Sequence, residues 1–155
     1  MFTDALLALS GSITGNTVTG QDVHATDTSV LSTNTIDLGT ARDIGEGADL
    51  FGRFEVTVAA SGGTTVEMQI ITADAANLTG NVAVIGTTGA IAVASMTLGA
   101  RFACSINPRI GKLGQRYIGA RYVSVGAVGA VTVYGDIGLD IEDGQKYYSS
   151  GIAIL

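Results

Sequence analysis

The chain has 155 residues, enough for one domain that buries roughly 70% of the surface its unfolded form exposes, and its length does not require a second domain. Hydrophobic residues make up 46% of it and charged residues only 14%, with a net charge of −6; ordinary soluble domains carry about 25% charge, so a surface this short of charge is expected to be covered by a partner. A single histidine and a single cysteine exclude an intramolecular disulfide, a cysteine-rich zinc site and a histidine-rich metal centre, and no run approaches the roughly 18 consecutive apolar residues of a membrane helix.

The opening Met1-Phe2-Thr3-Asp4 has no basic residue and an early acid, unlike a signal peptide, so the protein is expected to be made and used without export. Phe2, Ala5, Leu6 and Leu9 fall at helical spacing and predict a short helix or arm with one apolar stripe. Residues 10–33 are rich in Gly, Ser, Thr and Asp and read as an irregular connection. His24 lies there and reads as a surface loop residue. Ile36 and Leu38 alternate with Asp37, which predicts a short half-buried strand over 34–38, ended by Gly39. In the following turn Arg42-Asp43-Ile44-Gly45-Glu46-Gly47, Gly45-Glu46-Gly47 opens like a dinucleotide fingerprint. Leu50 stands where the third glycine belongs, however, and Asp43, Glu46 and Asp49 would repel a pyrophosphate. Those acids also lack the ligand pattern of a calcium loop.

Further strands are predicted over 50–59, 64–73, 82–86, 90–98, 101–106, 115–125 and 130–141. Phe54, Val56 and Val58 alternate with Arg53, Glu55 and Thr57; Val66, Met68 and Ile70 alternate with Glu67 and Gln69. In the last strand Val131, Val133, Ile137, Leu139 and Ile141 share one face, and Thr132, Tyr134, Asp136 and Asp140 the other. Such alternation is that of antiparallel strands with one wet face. Ser61-Gly62-Gly63, Thr87-Thr88-Gly89 and Leu98-Gly99-Ala100 read as turns. Phe102, Cys104 and Ile106 alternate, which makes Cys104 a reduced core residue rather than a nucleophile. Gly111-Lys112 is not a phosphate loop, because Ile106 and Leu113 stand where a glycine and a Ser or Thr are needed. Eight strands fit a jelly roll. The expected fold is therefore all-β, an antiparallel jelly-roll-like sandwich over 34–142 with an N-terminal arm and leader over 1–33 and a C-terminal tail over 143–155, one domain overall.

Charge is unevenly placed. Residues 101–121 carry Arg101, Arg109, Lys112, Arg116 and Arg121 and no acid, a net of +5 inside an acidic chain. No basic-aromatic module accompanies them and the overall charge repels phosphate, so nucleic acid is not an expected partner. The block is expected to pair with Asp136, Asp140, Glu142 and Asp143 of a neighbouring subunit, to meet an acidic partner surface, or to pair within the chain. In the tail, Tyr147 and Tyr148 read as interface anchors in preference to a sugar-stacking pair, and the aliphatic end Ile152, Ile154 and Leu155 calls for cover by a neighbour. With Phe2, Leu6 and Leu9 at the other terminus, and Arg109 and Lys112 in the basic block, these are the candidate interface residues. No catalytic, metal-binding or cofactor-binding residues are expected, and neither a membrane nor a small-molecule substrate.

The strand over 34–38, the Arg42-Asp43-Ile44-Gly45-Glu46-Gly47 turn feeding the strand over 50–58, the leader Met1-Phe2-Thr3-Asp4-Ala5-Leu6-Leu7 and the late strand start Gly114-Gln115-Arg116-Tyr117-Ile118 together resemble the capsid cement, or decoration, proteins of tailed bacteriophages. The resemblance implies a jelly-roll subunit that forms a homotrimer on the outer surface of an icosahedral shell and clamps neighbouring major capsid subunits. It also implies synthesis in the cytoplasm of the bacterial host and no cofactor. The competing expectation is a carbohydrate-binding viral adhesin or tail- or fibre-associated jelly-roll module. The absence of tryptophan and the few aromatics of the body weigh against it.

Overall fold

Short runs of β-branched residues set the strands, and glycines mark where they turn. The computed structural model describes residues 5–15, 17–40, 49–107 and 115–139. A 3-10 turn, Ala5–Leu7, leads into β1 (Ala8–Ser10), β2 (Ser12–Thr14), β3 (Thr17–Thr19), β4 (Gln21–Asp22), β5 (Ser29–Leu31) and β6 (Ile36–Asp37). The long strands follow: β7 (Phe51–Val58), β8 (Thr65–Ala73), β9 (Ala83–Ala92), β10 (Arg101–Ser105), β11 (Tyr117–Val125) and β12 (Thr132–Gly138), with a 3-10 turn at Val93–Ser95 after β9.

All the pairings between these strands are antiparallel. One sheet runs β1-β12-β7-β10 and the other β5-β11-β8-β9; β4 joins β12 beside β1, and β6 joins β11 beside β5. Counting β1 with β4 and β5 with β6 as single positions leaves eight, ordered 1-8-3-6 in one sheet and 2-7-4-5 in the other. Two interleaved Greek keys of this kind make a jelly roll. The expected all-β antiparallel sandwich is therefore the fold observed.

The core lies between the sheets. Leu9, Phe54, Val56 and Val133 enter it from one sheet and Val66, Met68, Ile70, Ala120 and Tyr122 from the other, all of them fully or almost fully buried. The rings of Phe54 and Tyr122 meet edge to face with centroids 6.0 Å apart, a favourable arrangement for two quadrupoles. Cys104 is buried in this core, and burial pushes its thiol up to about 11. A folded sample at pH 8 is accordingly expected to react with a thiol reagent only as fast as it unfolds, and a fast stoichiometric reaction with native protein would contradict this placement.

The structure departs from the sequence reading at five places. Residues 10–33 are not an irregular connection; they contain β2 to β5, and β4 and β5 extend the two sheets. The strands expected at 82–86 and 90–98 are replaced by one strand, β9, that ends at Ala92 before the 3-10 turn Val93–Ser95, because Thr87-Thr88-Gly89 makes a bulge rather than a turn. Glu67 pairs with Ala90 and Gln69 with Thr87, so β9 carries an extra residue there, and Gly89 takes it up at φ 70°. The apolar stripe expected at the N-terminus does not form: Leu9 is fully buried in β1 while Leu6 is 84% exposed, since pairing of β1 with β12 replaces helical spacing by extended backbone. Finally, the outer face of β12 is not wet, because Tyr134 and Asp136 are both buried. Val58 and Leu139, assigned to the core face, are exposed at strand ends.

Candidate functional site

Antiparallel order brings particular chain segments to the same end of the sandwich. Phe51, the first residue of β7, pairs with Gly138 at the end of β12 and with Ser105 at the end of β10. Tyr117, the first residue of β11, pairs with Asp37 of β6 and with Ala73 at the end of β8. Ala8 at the start of β1 pairs with Asp136. One end therefore gathers Ala5–Leu7, Leu38, Leu50, the loop over 74–82, Asn107, Gln115 and Leu139. All of these but the loop over 74–82 lie next to or within a few residues of segments outside the described residues, which are 1–4, 41–48, 108–114 and 140–155 together with Asn16. Phe2, Arg109, Lys112, Tyr147, Tyr148, Ile152, Ile154 and Leu155 all fall in those segments, as do Asp43, Glu46, Asp140, Glu142 and Asp143. Leu6 and Leu9 are described, and they point apart.

The surface of this end is built from short polar contacts. The Arg116 guanidinium donates to both carboxylate oxygens of Asp37, at 2.5 and 2.6 Å. These bonds, with one from the Gly39 amide, hold the Asp37 carboxyl below its usual range. The same guanidinium lies 5.2 Å from the centre of the Tyr117 ring. Behind it, the Thr72 hydroxyl donates to the buried Gln115 side chain. The loop over 74–82 is closed by Asp74 N–H to Gly80 O, 3.1 Å, and by the Asn81 amide on the Asp74 carboxylate, 2.5 Å. From this loop Leu78, at φ 57°, packs against Ile71 and Ala73 in a second small apolar cluster. It fills the hollow above Gly119, where an added Cβ would come within 2.4 Å of a Leu78 methyl. Val82 and Val84 stand exposed beside it.

The opposite end is closed by backbone. Asp27 and Val128 N–H donate to Gly126 and Ala25 O, and Gly129 N–H donates to Ser61 O. A shallow cleft of about 490 Å³ there is lined by small residues including Ala60, Gly63, Thr64 and Val93, with Met96 at its floor.

The three described bases of the basic block all make contacts within the chain. Arg101 meets Glu55 at 3.2 Å, Arg116 meets Asp37, and Arg121 donates to Gln69 at 2.8 Å. Gln69 in turn donates to Glu67, as does Thr87. Asp136, expected to face a neighbour's bases, is instead buried and held by Arg53 through two bonds of 2.8 Å. Sequence alternation put each on the polar face of its own strand but did not show that they are cross-strand partners. His24 is an exposed loop residue whose Nδ1 lies 2.5 Å from Asp22 Oδ1. Among the described residues no three His, Cys, Asp or Glu side chains gather as metal ligands, and no helix is long and apolar enough to cross a membrane.

No curated protein matches the sequence significantly. The family model described as Bbp16 matches residues 18–137, from within β3 to within β12. That span takes in most of the chain and nearly all of the jelly roll, and the chain belongs to the Bbp16 family, whose name points to a phage-related protein.

Proposed function

We propose that the chain is a structural decoration protein of a tailed-phage head, which forms a homotrimer on the outer shell surface and clamps neighbouring major capsid subunits without catalysing a reaction. The observation that carries this reading is a jelly-roll sandwich whose one end gathers strand ends of both sheets, around Leu50, Asn107, Gln115 and Leu139. An end formed from several chain segments is suited to engaging several neighbours at once, and each added contact multiplies the others. The low charge content fits a surface largely covered in use. Membership of the Bbp16 family supports a phage setting.

Arg109 and Lys112 are the two bases of the block outside the described residues, two and five positions beyond Asn107, and the proposal gives them a neighbour's acidic surface. Reversing both, Arg109→Glu with Lys112→Glu, is expected to slow attachment to heads prepared without this protein. The effect should be greatest near 0.01 M salt, where the screening length is about 30 Å, and small near 1 M, where it is about 3 Å. Attachment rates that match the wild type at every ionic strength, with the fold intact, would remove this role. Failure of the wild-type protein itself to bind heads would remove the decoration reading.

A further inference from the structure

We propose that the hairpin of β2 and β3 is a docking arm that adds to an uncharged strand edge of the adjoining shell subunit; this inference rests on the decoration reading. β1 ends with Ser10 opposite Gly135, and β4 begins with Gln21 opposite Val133. Only the place opposite Tyr134 lies between them, so one residue would suffice to run β1 into β4 as a single edge strand. The chain instead inserts residues 11–20 there.

The departure is built into the fold. Gly11 has φ 80°, and a Cβ on it would lie 2.1 Å from Thr19 O. A Cβ on Gly20 would lie 2.1 Å from Thr57 Oγ1 and 2.9 Å from the Val133 nitrogen. Beyond this pinch Ser12, Thr14, Thr17, Val18 and Thr19 are all exposed, and only Ile13 is partly covered. Ile13 pairs with Val18 across the hairpin. A two-stranded hairpin this short gains little by itself in water, and ordering its residues costs chain entropy. Its retention is explained by a contact outside the chain.

The chemistry of the arm identifies the partner. Residues 11–20 include no Lys, Arg, Asp, Glu or Pro and are rich in β-branched residues. Exposed strands are ordinarily protected from pairing by charge or proline, and this one has neither. An edge strand with small aliphatic or hydroxyl side chains is the matching surface, joined through main-chain hydrogen bonds. Ten residues are well short of the about 20–30 per side of a stable two-body interface, so the arm does not suit a free-standing pairing of two copies. It suits a contact repeated over a shell.

The test uses heads assembled without this protein and measures binding of the full chain at low and high salt. Replacing residues 11–20 by a single serine is expected to preserve cooperative unfolding and the free protein's oligomeric state while weakening head binding by about tenfold or more, equally at both salt concentrations. Val18→Lys keeps the hairpin but sets a charge in the contact, and is expected to give a similar loss. If the wild type binds and both variants bind equally well, the arm has no docking role and the decoration reading survives. If the wild type does not bind, the decoration reading falls and this inference falls with it. Should the shortened chain fail to fold, full-strength binding by Val18→Lys would overturn the proposal alone.

Discussion

Asp136→Ala is expected to lower the unfolding free energy by about 3 kcal/mol, because it removes the carboxylate that accepts two bonds from a largely enclosed guanidinium. Asp136 is 1% exposed and Arg53 16%. They face each other on β12 and β7, and both carboxylate oxygens accept bonds from Arg53. Gly138 leaves the space for that guanidinium, since a Cβ there would stand 2.4 Å from Arg53 Cζ. Replacing both partners, Arg53→Met with Asp136→Leu, should cost less than Asp136→Ala alone, because no charge is then left buried. Denaturant unfolding of the single and double variants measures the difference. A loss below about 1 kcal/mol for Asp136→Ala would mean that the pair behaves like a screened surface pair.

Tyr122→Ala is expected to cost about 4 kcal/mol, the range for deleting a large buried ring whose cavity does not collapse. Tyr122 is fully buried. Its ring meets Phe54 across the core, and its hydroxyl donates to Ser10 Oγ of the facing sheet at 2.6 Å. Burial holds the phenol well above its ordinary range, so it stays protonated throughout neutral pH. Tyr122→Phe keeps the ring but leaves the Ser10 hydroxyl enclosed without this donor, and should cost about 1–2 kcal/mol. Equal losses for the two variants in thermal or denaturant unfolding would show that the hydroxyl, rather than the ring, dominates.

The long strands were legible because alternation is strong where a strand is half-buried. Val66, Met68 and Ile70 against Glu67 and Gln69 could be read directly, and so could the strand expected over 115–125, which runs from Tyr117. The short strands of residues 10–33 were not legible: Thr17-Val18-Thr19 and Gln21-Asp22 are too brief to establish a period. Gln21-Asp22 pairs with β12, far away in sequence, and Thr17-Val18-Thr19 pairs only with β2. Thr87-Thr88-Gly89 has the composition of a turn, and only pairing with β8 makes it a bulge. Period two assigns faces but not what lies above them, which is why Asp136 was read as outward and solvated when it is enclosed with Arg53. The docking arm was invisible for a related reason, since nothing local distinguishes a polar loop from a hairpin pinched between two pieces of one strand.

The most direct measurement of the central claim is a density map of intact phage heads that carry the chain. The account predicts jelly-roll density on the outer surface of the shell, grouped in threes, with the end that bears Asn107, Gln115 and Leu139 turned toward the capsid subunits. Heads whose outer surface lacks this density, with the protein found instead on the tail or its fibres, would contradict it.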